Sequence, residues 1–176
     1  MAQISNTQKA AGGLSAAAAA LAVVFIPHWE SGSRMDTTVR HQAIDPPGVY
    51  TVCDGITNLD PDFAYIRPGM TFTISQCTEA FKSLLPKYVA PIVKCIPSYP
   101  SMPPHRQVAL LSFAYNVGPG RICNGAIARE FNAGHAAVGC KLMGQYIKAN
   151  GKVLRGLQNR RFDPKWGEIS WCLRDD

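Results

Sequence analysis

The chain has 176 residues, enough for one domain and too short for two ordinary ones. It is 47% hydrophobic, and its Gly 15 and Pro 13 follow no G-X-Y period, which excludes a disordered chain and a collagen. The net charge is +6, which favours anionic partners, and only 17% of residues are charged, against about 25% in a typical soluble domain.

The charge deficit is local. Residues 1–29 hold one charged side chain, Lys9, and Ala10 to Ile26 are 17 residues without charge. As a helix they would span about 26 Å, slightly short of a ~30 Å hydrocarbon core. Eight of the 17 are Ala, so the segment would insert only weakly. Three readings stay open. A retained weak signal-anchor is favoured, and its charge asymmetry leaves the amino terminus in the cytoplasm and the rest outside. A cleavable signal peptide would use Ala20-Leu21-Ala22 as its cut site. A buried Ala-rich core helix is the third. The expected organisation is an anchor over 1–29 and one folded domain over 30–176.

Further along, Val49 to Cys53 reads as a strand, Asp54-Gly55 as a hairpin turn and Ile56-Thr57 as the return. Thr73 to Ala90 reads as a helix capped by Thr73 or Ser75 and kinked at Pro86. Pro97, Pro100, Pro103 and Pro104 mark an extended connector. His105 to Val117 is apolar over most of its circumference and predicts a buried central helix, ended by Gly118-Pro119-Gly120. Short helices follow over Cys123 to Asn132 and His135 to Ile147, the latter closed by Asn150-Gly151. Gly156 to Asp163 carries two of three neighbouring arginines, Arg155, Arg160 and Arg161. The fold class is α+β, mainly helical, with a small β-hairpin sheet near the start of the 30–176 domain.

The six cysteines, Cys53, Cys77, Cys95, Cys123, Cys140 and Cys172, all follow the apolar segment. No CxxC pair occurs, so a disulfide set in an oxidising compartment is the better reading than zinc, and no metal or cofactor is expected. Glu30 stands beside Trp29, a setting that disfavours a carboxylate charge and suits a general acid. Asp45 precedes Thr51 by six positions, and the two together could hold a water. By spacing alone, each acid reads better as a helix cap or a solvated charge.

The run Trp29-Glu30 … Asp45-Pro46-Pro47-Gly48-Val49-Tyr50-Thr51-Val52-Cys53-Asp54-Gly55 resembles the active-site segment of phage-type lysozymes, glycoside hydrolase family 24. Pro68-Gly69-Met70-Thr71, the helix Ser112 to Gly120, Phe131-Asn132-Ala133-Gly134, and Gly151 to Leu157 with Arg160-Arg161 continue the similarity over residues 28–172. The resemblance implies a lysozyme-like fold that hydrolyses the β-1,4 bond between N-acetylmuramic acid and N-acetylglucosamine in peptidoglycan. It implies Glu30 as general acid and Asp45 with Thr51 as the holders of a water on the far face of the sugar. Asn116, Arg155, Arg160 and Arg161 are expected to contact substrate. Glu30 and Asp45 lie 15 positions apart, wider than the family's usual spacing, which makes Asp36 the runner-up carboxylate. Ile56 stands where many members carry a polar residue.

The amino-terminal segment resembles that of signal-anchor-release endolysins. This implies an enzyme held inactive at the periplasmic face of the inner membrane until holin action releases it. Cysteines are expected to pair in sequence order: Cys53–Cys77, Cys95–Cys123 and Cys140–Cys172. The protein is expected to act as a monomer. A wall-binding module without catalysis, a membrane-active helix in the manner of a holin, and a nucleic-acid binder are the alternatives. The last has net charge in its favour but no recognition motif, so no nucleic acid is expected.

Overall fold

The computed structural model describes residues 12–31, 36–40 and 47–174. Helix α1, Ala16–Ser31, starts where the Ser15 hydroxyl accepts the Ala18 amide at 3.1 Å. Ala18, Ala22, Phe25 and Ile26, spaced by four, three and one, form one face and are fully buried. Leu21 and Val24 point away and are exposed. Small residues at 18 and 22 let the helix lie close against α3, Pro104–Val117, while Phe25 packs on Trp171 at 4.2 Å between ring centres. Burying Phe25 and Ile26 contributes about 1.5–3 kcal/mol each. The expected boundary between residues 29 and 30 falls inside this helix.

Strands β1, Thr51–Val52, and β2, Ile56–Thr57, pair antiparallel with Val52 opposite Ile56. The turn is Cys53-Asp54-Gly55, one residue longer than the sequence suggested, and all three have positive φ. Residues 36–40 add single bridges, Thr38 to Thr71 and Arg40 to Thr51. Helix α2, Ile74–Cys95, opens with a reciprocal Thr73–Gln76 capping box. It continues through Pro86 and Pro91 rather than ending near Ala90. Leu84, Leu85, Val89 and Ile92 lie buried on one side, and this packing outweighs the two missing amide donors.

Helix α3 holds Gln107 to Ala114 buried without interruption, as a central helix should. Its neighbours are shorter than the sequence suggested. The Cys123–Asn132 segment divides into α4, Gly120–Cys123, and α5, Ala126–Asn132, at Gly125. The next becomes α6, Ala136–Leu142, and a 3-10 turn over Met143–Gln145. Asn150-Gly151 does not close a helix. It turns a second hairpin, β3 Lys148–Ala149 with β4 Lys152–Val153, with positive φ at both turn residues. Helices α7, Arg155–Phe162, and α8, Glu168–Cys172, finish the described chain.

Two apolar clusters result. The larger joins α1, α3 and their helical neighbours, and the smaller sits under the first hairpin and the start of α2. Cys53–Cys77 lies in the smaller one, whereas Cys95–Cys123 and Cys140–Cys172 tie the helical part. Glu30, at the end of α1, meets α7 through Arg160.

Candidate active site

The last turn of α1 is fixed from outside. The Trp29 indole donates to the Trp166 carbonyl at 3.0 Å, and His28 stacks on Trp166 at 4.6 Å. Trp29 therefore faces the chain before α8. The group that meets the Glu30 carboxylate is the Arg160 guanidinium, whose Nη1 donates to Oε1 at 2.5 Å. The sequence placed Trp29 in that role because adjacency in the chain is visible and a partner 130 positions away is not. The Glu30 side chain remains 25% exposed, so its carboxyl is open to a substrate.

Arg160 is a buried fork. Its Nε donates to Glu168 Oε1 at 2.9 Å, and its Nη2 donates to the Ser112 carbonyl and hydroxyl at 3.0 and 3.1 Å. The Ser112 hydroxyl donates to Glu168 at 2.6 Å. Arg161, also buried, donates to the other Glu168 oxygen and, at 2.5 Å, to Asn116 Oδ1. Its guanidinium also lies over the Phe113 ring. Two guanidiniums thus face two carboxylates, which is how buried charge is tolerated. Burial opposes the charge on Arg160, but Glu168 and then Glu30 more than offset it and hold that guanidinium above the ordinary arginine value. Burial pushes Arg161 down, with Glu168 acting against it.

Arg160 and Arg161 were expected at the substrate surface. The structure buries both, because α7 turns them toward α3 and α8. Asn116, half-buried, is held by Arg161. Arg155 alone of the three arginines is exposed, on the opposite side of α7. There it lines a hollow of about 580 Å³ with Val153, Gln158 and Phe162. Glu168 and Ser112 carried no local signal: a buried Glu in α8 reads as an ordinary surface acid until its two arginines are seen.

Thr51 lies on β1, where its backbone exchanges both hydrogen bonds with Arg40. Asp45 lies outside the described residues. Asp36 is engaged in a turn: its carboxylate accepts the Thr38 amide at 3.0 Å and pairs with Arg40 at 3.6 Å. Its carbonyl accepts the Cys53 amide, which joins this segment to the hairpin. One residue that sequence reasoning used only as a turn former is also here. Asp54 is 7% exposed, and burial, with the nearby Glu30 charge adding to it and Ser31 opposing, raises its carboxyl above the usual aspartate value.

Comparison with known proteins agrees with this architecture. The profile of the phage lysozyme family matches residues 34–163. The SAR-endolysin of bacteriophage PS119 is 35% identical over 119 residues, 66% of either chain. The SAR-endolysin of Pseudomonas phage phiKMV is 32% identical over 134 residues, 73% of this chain and 75% of that one. Among solved structures, a P22 lysozyme variant superposes with a TM-score of 0.69 at 17% identity, covering 92% of this chain and 98% of the other.

Proposed function

This chain belongs to the phage lysozyme family, whose members are glycoside hydrolases, and from that premise we propose that it is an endolysin that cleaves peptidoglycan between N-acetylmuramic acid and N-acetylglucosamine. The observation that carries this reading is Glu30: an open carboxyl at a helix end, gripped on one oxygen by a buried arginine. Such a grip fixes the direction of the second oxygen, which is what proton delivery to a glycosidic oxygen requires. Glu30 acts as the general acid. Asp45 and Thr51 take the water on the far face of the sugar, and the place of Thr51 on β1 beside Cys53 and Asp54 supports that assignment. Glu30→Gln is expected to lower release of reducing sugar from purified peptidoglycan by about 10²- to 10⁴-fold. A mutant that stays folded and hydrolyses at the wild-type rate would remove Glu30 from the role.

Residues 1–29 form a weak signal-anchor that holds the enzyme at the periplasmic face of the host inner membrane, and holin action releases it to the periplasm. The names of the SAR-endolysin relatives support this, as does the composition of the segment. No helix among the described residues is long and apolar enough to cross a membrane, and α1 has 16 residues. The packed α1 corresponds to the released form. With residues 10–26 in lipid, Ala18, Ala22, Phe25 and Ile26 leave the core, and Glu30 is drawn to the headgroups, away from Arg160. The packing also disfavours the cleaved-signal reading, because a cut after Ala22 would discard two residues that fill the core. Fractionation before and after collapse of the membrane potential tests the anchor. The full-length chain is expected to move from membrane to periplasm without a change in mass, and a permanently shortened chain would overturn the model.

A further inference from the structure

Pro27 lies inside α1, one turn before its end. Proline has no amide proton, so no hydrogen bond runs from position 27 back to the Val23 carbonyl, and the ring crowds that carbonyl. The turn that follows, residues 28–31, carries Glu30 and is joined to the rest of the helix by a weakened ladder. A carboxyl that must point in one direction needs that turn held from outside.

The chain between α7 and α8 supplies the hold, and it is itself fixed. The Asp163 carboxylate accepts the Lys165 and Trp166 amides at 2.9 and 2.7 Å. The Asp163 carbonyl accepts the Gly167 amide at 2.8 Å and the Ser170 hydroxyl at 2.9 Å. The Trp171 indole donates to the Lys165 carbonyl at 2.9 Å. Position 167 needs glycine, because a Cβ there would come within 2.3 Å of the Asp163 carbonyl oxygen. The Trp166 carbonyl faces α1 and accepts the Trp29 indole at 3.0 Å. The Trp166 ring stacks on His28 with 25° between the planes.

Trp29 and Glu30 are thus gripped by one stretch of chain. Arg160 of α7 holds the Glu30 carboxylate, and Trp166, six positions further on, holds Trp29. Successive residues of a helix project about 100° apart. A single grip lets a helical turn swing about it. Two grips at that angle stop both rotation about the axis and sliding along it.

We propose that Trp29 is a positioning residue for Glu30: its indole N–H, anchored on the Trp166 carbonyl, sets the rotation of the last turn of α1 at which Arg160 meets the acid. The proposal rests on Glu30 being the general acid. It gives Trp29 a different part from the one its place beside Glu30 in the sequence suggests. The indole is turned to the chain before α8, so what it contributes is a direction, carried by one hydrogen bond. That bond needs the ring nitrogen, and phenylalanine supplies a ring without it.

The test uses the full chain with Trp29→Phe, alone and combined with Arg160→Lys, each first checked for a cooperative melt. Trp29→Phe alone is expected to lower kcat on purified peptidoglycan about tenfold with KM little changed. In the Arg160→Lys background the acid is already free to turn, so Trp29→Phe is expected to cost less than about twofold more. A general loss of stability would cost the same factor in both backgrounds, and equal factors would overturn the proposal. So would a folded Trp29→Phe variant with wild-type kcat. Amide exchange is followed in parallel. Protection of residues 28–31 is expected to fall while residues 18–26 keep theirs, and a loss spread evenly along α1 would overturn the local grip. If Trp29→Phe fails to fold, Asp163→Ala decides. It removes the acceptor that orients the Trp166 amide and leaves α1 intact, and the same pattern is expected, whereas wild-type kcat and exchange would overturn the proposal. Exchange does not depend on catalysis, so it reads the grip on the last turn even if Glu30→Gln were to retain hydrolysis.

Discussion

Arg160 shows what one side chain at this site has to do. Three of its nitrogens serve three different partners: Nη1 holds Glu30, Nε holds Glu168, and Nη2 holds Ser112. A lysine would keep the charge and lose the fork, because one ammonium cannot face three directions. Arg160→Lys should therefore leave Glu168 and Ser112 partly satisfied and let the Glu30 carboxyl rotate. The expected result is a loss of about 10- to 100-fold in kcat with KM changed by less than about twofold, since Arg160 is buried and the orientation of the proposed acid is what fails. Steady-state kinetics on purified peptidoglycan would read it, and a Lys variant with wild-type kcat would mean that the grip on Glu30 is dispensable. The same balance explains why Glu168 is buried at all. It neutralises one of two adjacent guanidiniums, and Glu30 neutralises the other.

Elements were legible where the signal was local. The Thr73 cap, the first hairpin and the apolar central helix follow from a capping residue, a turn pair with β-branched flanks, and apolar residues on all sides. The ends of elements were less so. Pro86 breaks a helix in isolation, yet α2 runs on because its buried face is held by residues distant in sequence. Asn150-Gly151 is a strong hairpin signal, but its strands are two residues each and half lysine, so no alternation marked them. The acid proposed here, Glu30, was singled out from chemistry and motif together. Its supports were not, since Ser112 and Glu168 are 56 positions apart and meet only in the folded chain. Helix α1 shows the same limit from the other side. Its Ala-rich composition describes a weak membrane segment and a closely packed core helix equally well, because small apolar residues suit both surroundings.

At the scale of the molecule, stability is divided between two apolar clusters and three covalent ties. The disulfides close loops with sequence separations of 24, 28 and 32. In the chain-entropy account each contributes about 3–4 kcal/mol, so the three together reach about 10 kcal/mol. That matches the whole net stability of an ordinary domain, about 5–15 kcal/mol. The smaller cluster depends most on its tie, because a hairpin of two-residue strands cannot hold itself in place, and Cys53–Cys77 is what fixes it to α2. Thr51 sits on that hairpin, so reduction should disturb the proposed water-holding side before the helical core. For a chain of this size each kcal/mol moves the melting temperature by about 2–4 °C, which predicts a fall of about 20–40 °C for the fully reduced protein. Calorimetry with and without reductant would measure it, and a fall below about 5 °C would show that packing alone carries the fold. Activity should be lost at a lower reductant concentration than helical circular dichroism, since breaking Cys53–Cys77 frees the hairpin while α1, α3 and α8 still share the larger core.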